Sequence, residues 1–115
     1  MPVTTIRSED QYHEAVTTPG LSAVSFVAPW DESSKAISPK WKQFSDNPRW
    51  RDMSFFRVDI CDQQDVAMDA AVQMAPTFRF FRDGTQVDEY VGSSYPALER
   101  KMGSVVRSAS DSPSA

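Results

Sequence analysis

Two carboxylates and two hydroxyls are crowded into Trp30-Asp31-Glu32-Ser33-Ser34-Lys35, where an apolar run ending at Ala28 gives way to a helical pattern. Asp is among the best helix N-cap residues, and a Glu in the first turn faces the positive end of the helix dipole. Asp31 and Glu32 therefore suit a well-capped helix start. Ser33 and Ser34 are polar helix-start residues whose hydroxyls could also donate to a bound thiolate. The single cysteine, Cys61, lies well outside this loop and cannot form an internal disulfide. His13 is the only histidine and has no cysteine or second histidine at ligand spacing. It reads as a surface residue, and neither a metal nor a cofactor is expected.

The elements that must position these residues follow from periodicity and punctuation. Thr4 to Ile6 is a short strand, and Ser8-Glu9-Asp10-Gln11 is a capping-box pattern opening a first helix with Tyr12, Ala15 and Val16 on one face. Thr18-Pro19-Gly20 ends it. Leu21 to Ala28 is dense enough in apolar residues for a central strand covered on both faces. A second helix runs from Asp31 towards Asp46 with Ile37, Trp41 and Phe44 pointing one way and Pro39 inside it. After the turn-rich Asn47 to Asp52, Ser54 to Ile60 is a third strand carrying Phe55, Phe56, Val58 and Ile60. Asp62 can cap a third helix to about Ala71, with Val66, Met68, Ala70 and Ala71 available to pack. Asp83-Gly84 between Thr77–Arg82 and Gln86–Val91 is a hairpin signal. Pro96 fits the first turn of a last helix carrying Leu98, Met102, Val105 and Val106.

The order is strand, helix, strand, helix, strand, helix, strand, strand, helix. Early parallel crossovers and a late hairpin give an α/β fold, a mixed sheet with helices on both faces. A chain of 115 residues is one domain by length and can bury roughly two-thirds of its unfolded surface. Residues 108–115 are poor in apolar side chains and are expected to be a disordered tail following a domain over 1–107. No run approaches the ~18 apolar residues of a membrane span. The opening Met1 to Ser8 lacks the regions of a secretory signal, and one unpaired thiol suits a reducing compartment, so a cytoplasmic location is expected. The net charge of -4 and the scattering of the 12 basic residues argue against nucleic-acid binding.

Several segments carry a resemblance to the thioredoxin family. Val24-Ser25-Phe26-Val27-Ala28, then Ala36-Ile37-Ser38-Pro39-Lys40, Met74-Ala75-Pro76-Thr77-Phe78, Phe80-Phe81-Arg82-Asp83-Gly84 and Val87 to Gly92 stand in the places and order of that family. The likeness covers about residues 5 to 107 and implies a thioredoxin fold, a central mixed five-stranded sheet flanked by four helices. It is nearest to small eukaryotic members, and Lys35 to Lys40 is similar to fungal ones. The family's Trp-Cys-Gly-Pro-Cys-Lys is here Trp30 to Lys35, so Asp31 stands at the attacking position and Ser34 at the resolving one. Thiol–disulfide exchange needs a thiolate at the first and a thiol at the second. Where many members carry a buried aspartate acting as a proton relay, this chain has Ser25. The three changes together read as a site released from redox duty.

What the resemblance leaves is a groove. It implies a cis Ala75–Pro76 bond, with the Ala75 backbone offering a short antiparallel pairing to an extended partner, or a proline retained only for the turn. Trp30, Asp31, Met74, Ala75, Pro76 and Gly92 outline the groove that redox relatives use for client peptides. The expectation is a protein or peptide partner bound there without covalent chemistry, with Asp31 and Glu32 favouring basic segments, by a monomer or weak dimer. Two other readings stand beside it. One is an enzyme, glutathione-dependent through Ser33 or Ser34 or weakly active through Cys61. The other is a thioredoxin-fold subunit of a larger complex such as a ribonucleoprotein. Cys61 admits an intermolecular bridge or a small residue capping a strand end, and Arg49-Trp50-Arg51 an acidic partner or a solvated loop.

Overall fold

A computed structural model describes residues 3–111, with the side chains of 109–111 left out of the description. Its strands are β1 (Thr4–Thr5), β2 (Leu21–Val27), β3 (Met53–Asp59), β4 (Thr77–Arg82) and β5 (Thr85–Val91), and its helices α1 (Glu9–Thr17), α2 (Glu32–Asp46), α3 (Gln64–Asp69) and α4 (Tyr95–Asp111). The strands form one five-stranded sheet in the order β1-β3-β2-β4-β5. β3 runs parallel to β1 and β2, while β4 is antiparallel to both β2 and β5. Strand β2 is buried along its whole length, as its unbroken apolar run requires.

Side-chain alternation along the strands builds two cores. Ala23 of β2, Phe55 of β3 and Phe78 and Phe80 of β4 pack with Ile37, Trp41 and Phe44 of α2 and Leu98, Met102 and Val105 of α4. On the other face Val24, Phe26 and Val58 pack with Tyr12, Ala15 and Val16 of α1 and Val66 of α3. The period of two in the strands and the helical spacing in α1, α2 and α4 thus select the faces the sequence implies. Asp83 and Gly84 take positive φ at the hairpin, and the Asp83 carboxylate accepts a bond from the Gly20 N–H at 2.7 Å, locking that turn to the loop before β2.

Some local expectations need correction. Ser8 caps α1 through a bond from Gln11 N–H, but the Gln11 side chain returns to the Arg7 N–H and the Thr5 carbonyl instead of the cap residue itself. Asp62 does not cap α3. The carboxylate of Asp59 accepts from the N–H groups of Cys61 and Asp62, and α3 begins after Gln63 without a side-chain cap. Met68 and Ala71 are exposed, and the helix buries Val66 and Ala67. Trp50 is a core residue in a short 3-10 turn, Pro48–Trp50, with the Arg49 guanidinium 4.4 Å above its ring and paired to Glu99 at 3.5 Å. Trp50 is therefore a packed residue of the core, while Arg49 and Arg51 on either side of it are exposed. Helix α4 carries on to Asp111, past the expected domain end at 107; residues 112–115 of the expected tail lie outside the described residues.

Helices α1 and α3 meet through like charges. A hydrogen bond with the Asp69 carboxyl, reinforced by the charges of Asp69 and Asp65, raises the Glu9 carboxyl above its ordinary value. A carboxyl raised on folding holds its proton more tightly in the native state, so this contact favours folding at low pH and the benefit is lost as pH rises through the raised value. Glu9→Gln is expected to raise Tm at neutral pH and leave it unchanged near pH 3. Thermal melts across that range, showing the same shift at both ends, would contradict the assignment.

Candidate functional site

The loop between β2 and α2 is closed by two side chains. Asp31 is the N-cap of α2, and its Oδ2 accepts the Ser34 N–H at 2.8 Å. The Ser34 hydroxyl, 2% exposed, accepts the Ala28 N–H at 3.2 Å, tying the first turn of the helix back to the end of β2. The Asp31 N–H bonds to the Ala28 carbonyl at 3.1 Å, which completes the turn. Glu32 points outward and meets Lys35 at 3.5 Å in an exposed pair, while Ser33 is half-buried. Such a pair adds little by itself. Asp31 thus sits one residue before the helix that the sequence starts at it.

Sheet register gathers the other groove residues at the same end. Phe26 lies opposite Thr77 and Thr77 opposite Val91, so the segment before β4 and the residue after β5 flank the chain leaving β2. The Ala75–Pro76 bond is cis. The Pro76 carbonyl accepts the Gly92 N–H at 3.1 Å, and the Thr77 hydroxyl donates to the Met74 carbonyl. The backbone N–H and carbonyl of Ala75 have no hydrogen-bond partner among the described residues. Trp30 and Met74 are each 64% exposed, whereas Pro76 is buried. The structure therefore brings to one end of the sheet a capped carboxylate, two large exposed apolar side chains and an unpaired stretch of backbone.

Gly92 has φ +143, and a Cβ there would come within 2.8 Å of the Tyr90 hydroxyl, which itself accepts the Ser94 N–H at 3.1 Å. Tyr90 shapes this edge without having been marked by the sequence, and only its period-two position on β5 hints at it. Ser25 is buried, and its hydroxyl donates to the Phe56 carbonyl at 3.3 Å. Cys61 stands beyond β3 in a polar hollow with Ser8, Glu9 and Asp65, on the α1 and α3 side. Partial burial, together with the carboxylates of Asp59 and Asp62, pushes its thiol up. His13 is exposed on α1, edge-on to Tyr12. Among the described residues no group of three or more His, Cys, Asp and Glu is placed to hold a metal ion, and no helix is long and apolar enough to cross a membrane.

The thioredoxin family profile matches residues 3–104. The chain belongs to the thioredoxin family. It is 34% identical over 103 residues to a thioredoxin of Equus caballus, covering 88% of this chain and 96% of that one. A thioredoxin of Aspergillus fumigatus is 39% identical over 80 residues, covering 70% and 73%. The crystal structure of Malassezia sympodialis thioredoxin superposes with a TM-score of 0.84 at 28% identity, covering 90% of this chain and 93% of that one. The thioredoxin fold, with its mixed sheet and four helices, is thereby established for this chain.

Losing the Asp31 cap should cost about 1 kcal/mol in Asp31→Ala, with Asp31→Asn close to wild type; chemical denaturation giving equal midpoints for the alanine variant and wild type would refute the cap. Gly92→Ala combines a strained φ with displacement of Tyr90, and a loss of roughly 1–3 kcal/mol is expected in the same measurement. For Cys61, the pH profile of alkylation should place the thiol above a simple cysteine, and Asp62→Asn should move it down. Titration within the ~3.5–7.5 range of activated cysteines would contradict this.

Proposed function

We propose that this thioredoxin-fold chain is redox-inactive and binds protein or peptide partners through the groove formed by Trp30, Asp31, Met74, Ala75, Pro76 and Gly92. The observation that carries the reading is the closure of the β2–α2 loop. Asp31 and Ser34, the two positions a dithiol would need, hold oxygen atoms engaged with the N–H groups of Ser34 and Ala28. A carboxylate and a hydroxyl neither attack a disulfide sulfur nor resolve a mixed disulfide. Cys61 does not replace them, because its thiol is raised and therefore poorly ionised at neutral pH.

The groove itself keeps what peptide recognition requires. The Ala75 backbone has both its hydrogen-bonding groups free to pair with an extended segment, an instance of β-augmentation. Trp30 and Met74 offer apolar contact on either side, and Trp is among the residues that dominate binding hot spots. Asp31 and Glu32 on the rim favour basic partners. A glutathione-dependent role for Ser34 is disfavoured by its burial and by its engagement with Ala28. A single cysteine fits a reducing, cytoplasmic setting.

Purified protein should show no insulin reduction above the chemical background, and the double substitution Asp31→Cys with Ser34→Cys should restore some. Turnover by the unmodified chain would overturn the reading. Partners captured by wild type should be lost with Trp30→Ala, at a cost of about 2 kcal/mol or roughly 30-fold in affinity. Identical partner sets for wild type, Trp30→Ala and Pro76→Ala would argue decisively against the groove.

A further inference from the structure

A separate cavity lies between the sheet and α2. It measures about 260 Å³, close to the lower end of the roughly 300–1,000 Å³ typical of small-molecule sites. Its apolar walls are Val3, Val27, Ile37, Trp41 and Phe78, and it includes none of Trp30, Met74 or Pro76. Arg57 forms part of its wall. This residue lies on β3 directly opposite Ser25 of β2 and Thr5 of β1, and is half-buried. A second hollow of about 560 Å³ shares Val27, Ser38, Lys42 and Arg57 with it and leads out past Pro39 to Lys35.

The charges at this mouth are unequally satisfied. Lys35 pairs with Glu32 and Lys42 with Asp46 at 3.3 Å. The Arg57 backbone is held in the sheet and accepts the Ile6 N–H, but its guanidinium makes no ion pair or hydrogen bond with any described residue. Three other polar groups of the cavity wall are committed: Ser25 and Trp41 donate to the Phe56 carbonyl, and Ser38 donates to that of Ser34. A guanidinium that has lost part of its water and faces an apolar chamber is a costly arrangement unless something anionic meets it. Its planar fork matches a carboxylate in two parallel hydrogen bonds.

We propose that this cavity binds a small monocarboxylate with an apolar tail, such as a medium-chain fatty acid, with the carboxylate on Arg57 and the tail laid along Val3 and Val27 over the floor formed by Ile37, Trp41 and Phe78. An uncharged amphiphile gains only the apolar burial, and a cationic one is repelled by Arg57 and Lys42. Ser25 is what opens the site. An aspartate at that position would set its own carboxylate beside Arg57 on the same sheet face and fill the place the ligand takes.

The test is a titration of the full chain with octanoate, and with octanol as its neutral counterpart, followed by amide and indole chemical shifts. Saturable one-to-one shifts centred on Ile37, the Trp41 indole and Phe78 are expected below the micellar concentration. Octanol should bind at least about tenfold more weakly, and Arg57→Gln should weaken octanoate by a similar factor while sparing octanol. Ser25→Asp should abolish octanoate binding in a folded protein. Absence of saturable shifts, equal binding of octanoate and octanol, unchanged binding by Arg57→Gln, or shifts centred on Trp30 and Pro76 would each overturn the proposal. The comparison of the two ligands needs no variant, so it decides the matter even where a substitution impairs folding. None of these outcomes bears on insulin reduction or partner capture.

Discussion

The hydroxyl of Ser34 holds the N-terminus of α2 against the end of β2, and the course of the loop between them depends on this contact. Ala28 is the first residue beyond the central strand, and its N–H would be buried without a partner were the hydroxyl absent. A buried unpaired N–H costs on the order of 1–3 kcal/mol. Asp31 completes the arrangement by accepting the N–H of Ser34 itself, so the two side chains form a relay from helix start to strand end. With the turn closed in this way, Trp30 is left outside it and exposed. Below it, Ile37 and Trp41 are carried down onto the sheet face.

The same contacts explain how a loop with no thiol can sit comfortably in a thioredoxin fold. A helix start demands acceptors for its first N–H groups, whatever else the loop does. Oxygen is a better acceptor than sulfur, so aspartate and serine meet that demand directly. Their chemistry is spent on structure, which is why the loop geometry and the proposed lack of redox activity have a common cause. The segments beside the loop are held by other bonds, chiefly that from Gly92 N–H to the Pro76 carbonyl, which do not involve positions 31 and 34.

Legibility in the sequence tracks how local each determinant is. Asp83-Gly84 was readable because the positive φ of both residues is a property of the turn alone. Leu21 to Val27 was readable from its apolar density, and the buried faces of α1, α2 and α4 from helical spacing. The start of α3 was misread because Asp59 and Asp62 both offer a carboxylate, and only the strand's end geometry aims that of Asp59 at the loop N–H groups. Trp50 was misread for a different reason. Its surroundings are polar in sequence, and its burial comes from Phe44 of α2 and from α4, which lie far from it along the chain. The groove residues had no signature of their own and were named through family resemblance, whereas Tyr90 and Arg57 passed unmarked.

Arg57 is the more instructive of those two. A charged residue amid Phe55, Phe56 and Val58 breaks an apolar strand, and such a break asks for a partner. Three strands and α2 must assemble before the absence of one becomes visible, because the neighbouring carboxylates are taken up by Lys35, Lys42 and the loop after β3. Ser25 and Arg57 face each other across the two parallel strands, just as Asp31 and Ser34 face each other across the capped turn. At the turn, the side chain of Asp31 and the backbone of Ser34 satisfy each other and close the loop. At the strand pair, a hydroxyl that already serves the Phe56 carbonyl leaves the cation unmatched, and that asymmetry is why the proposed carboxylate site lies beneath α2 and not at the loop before it.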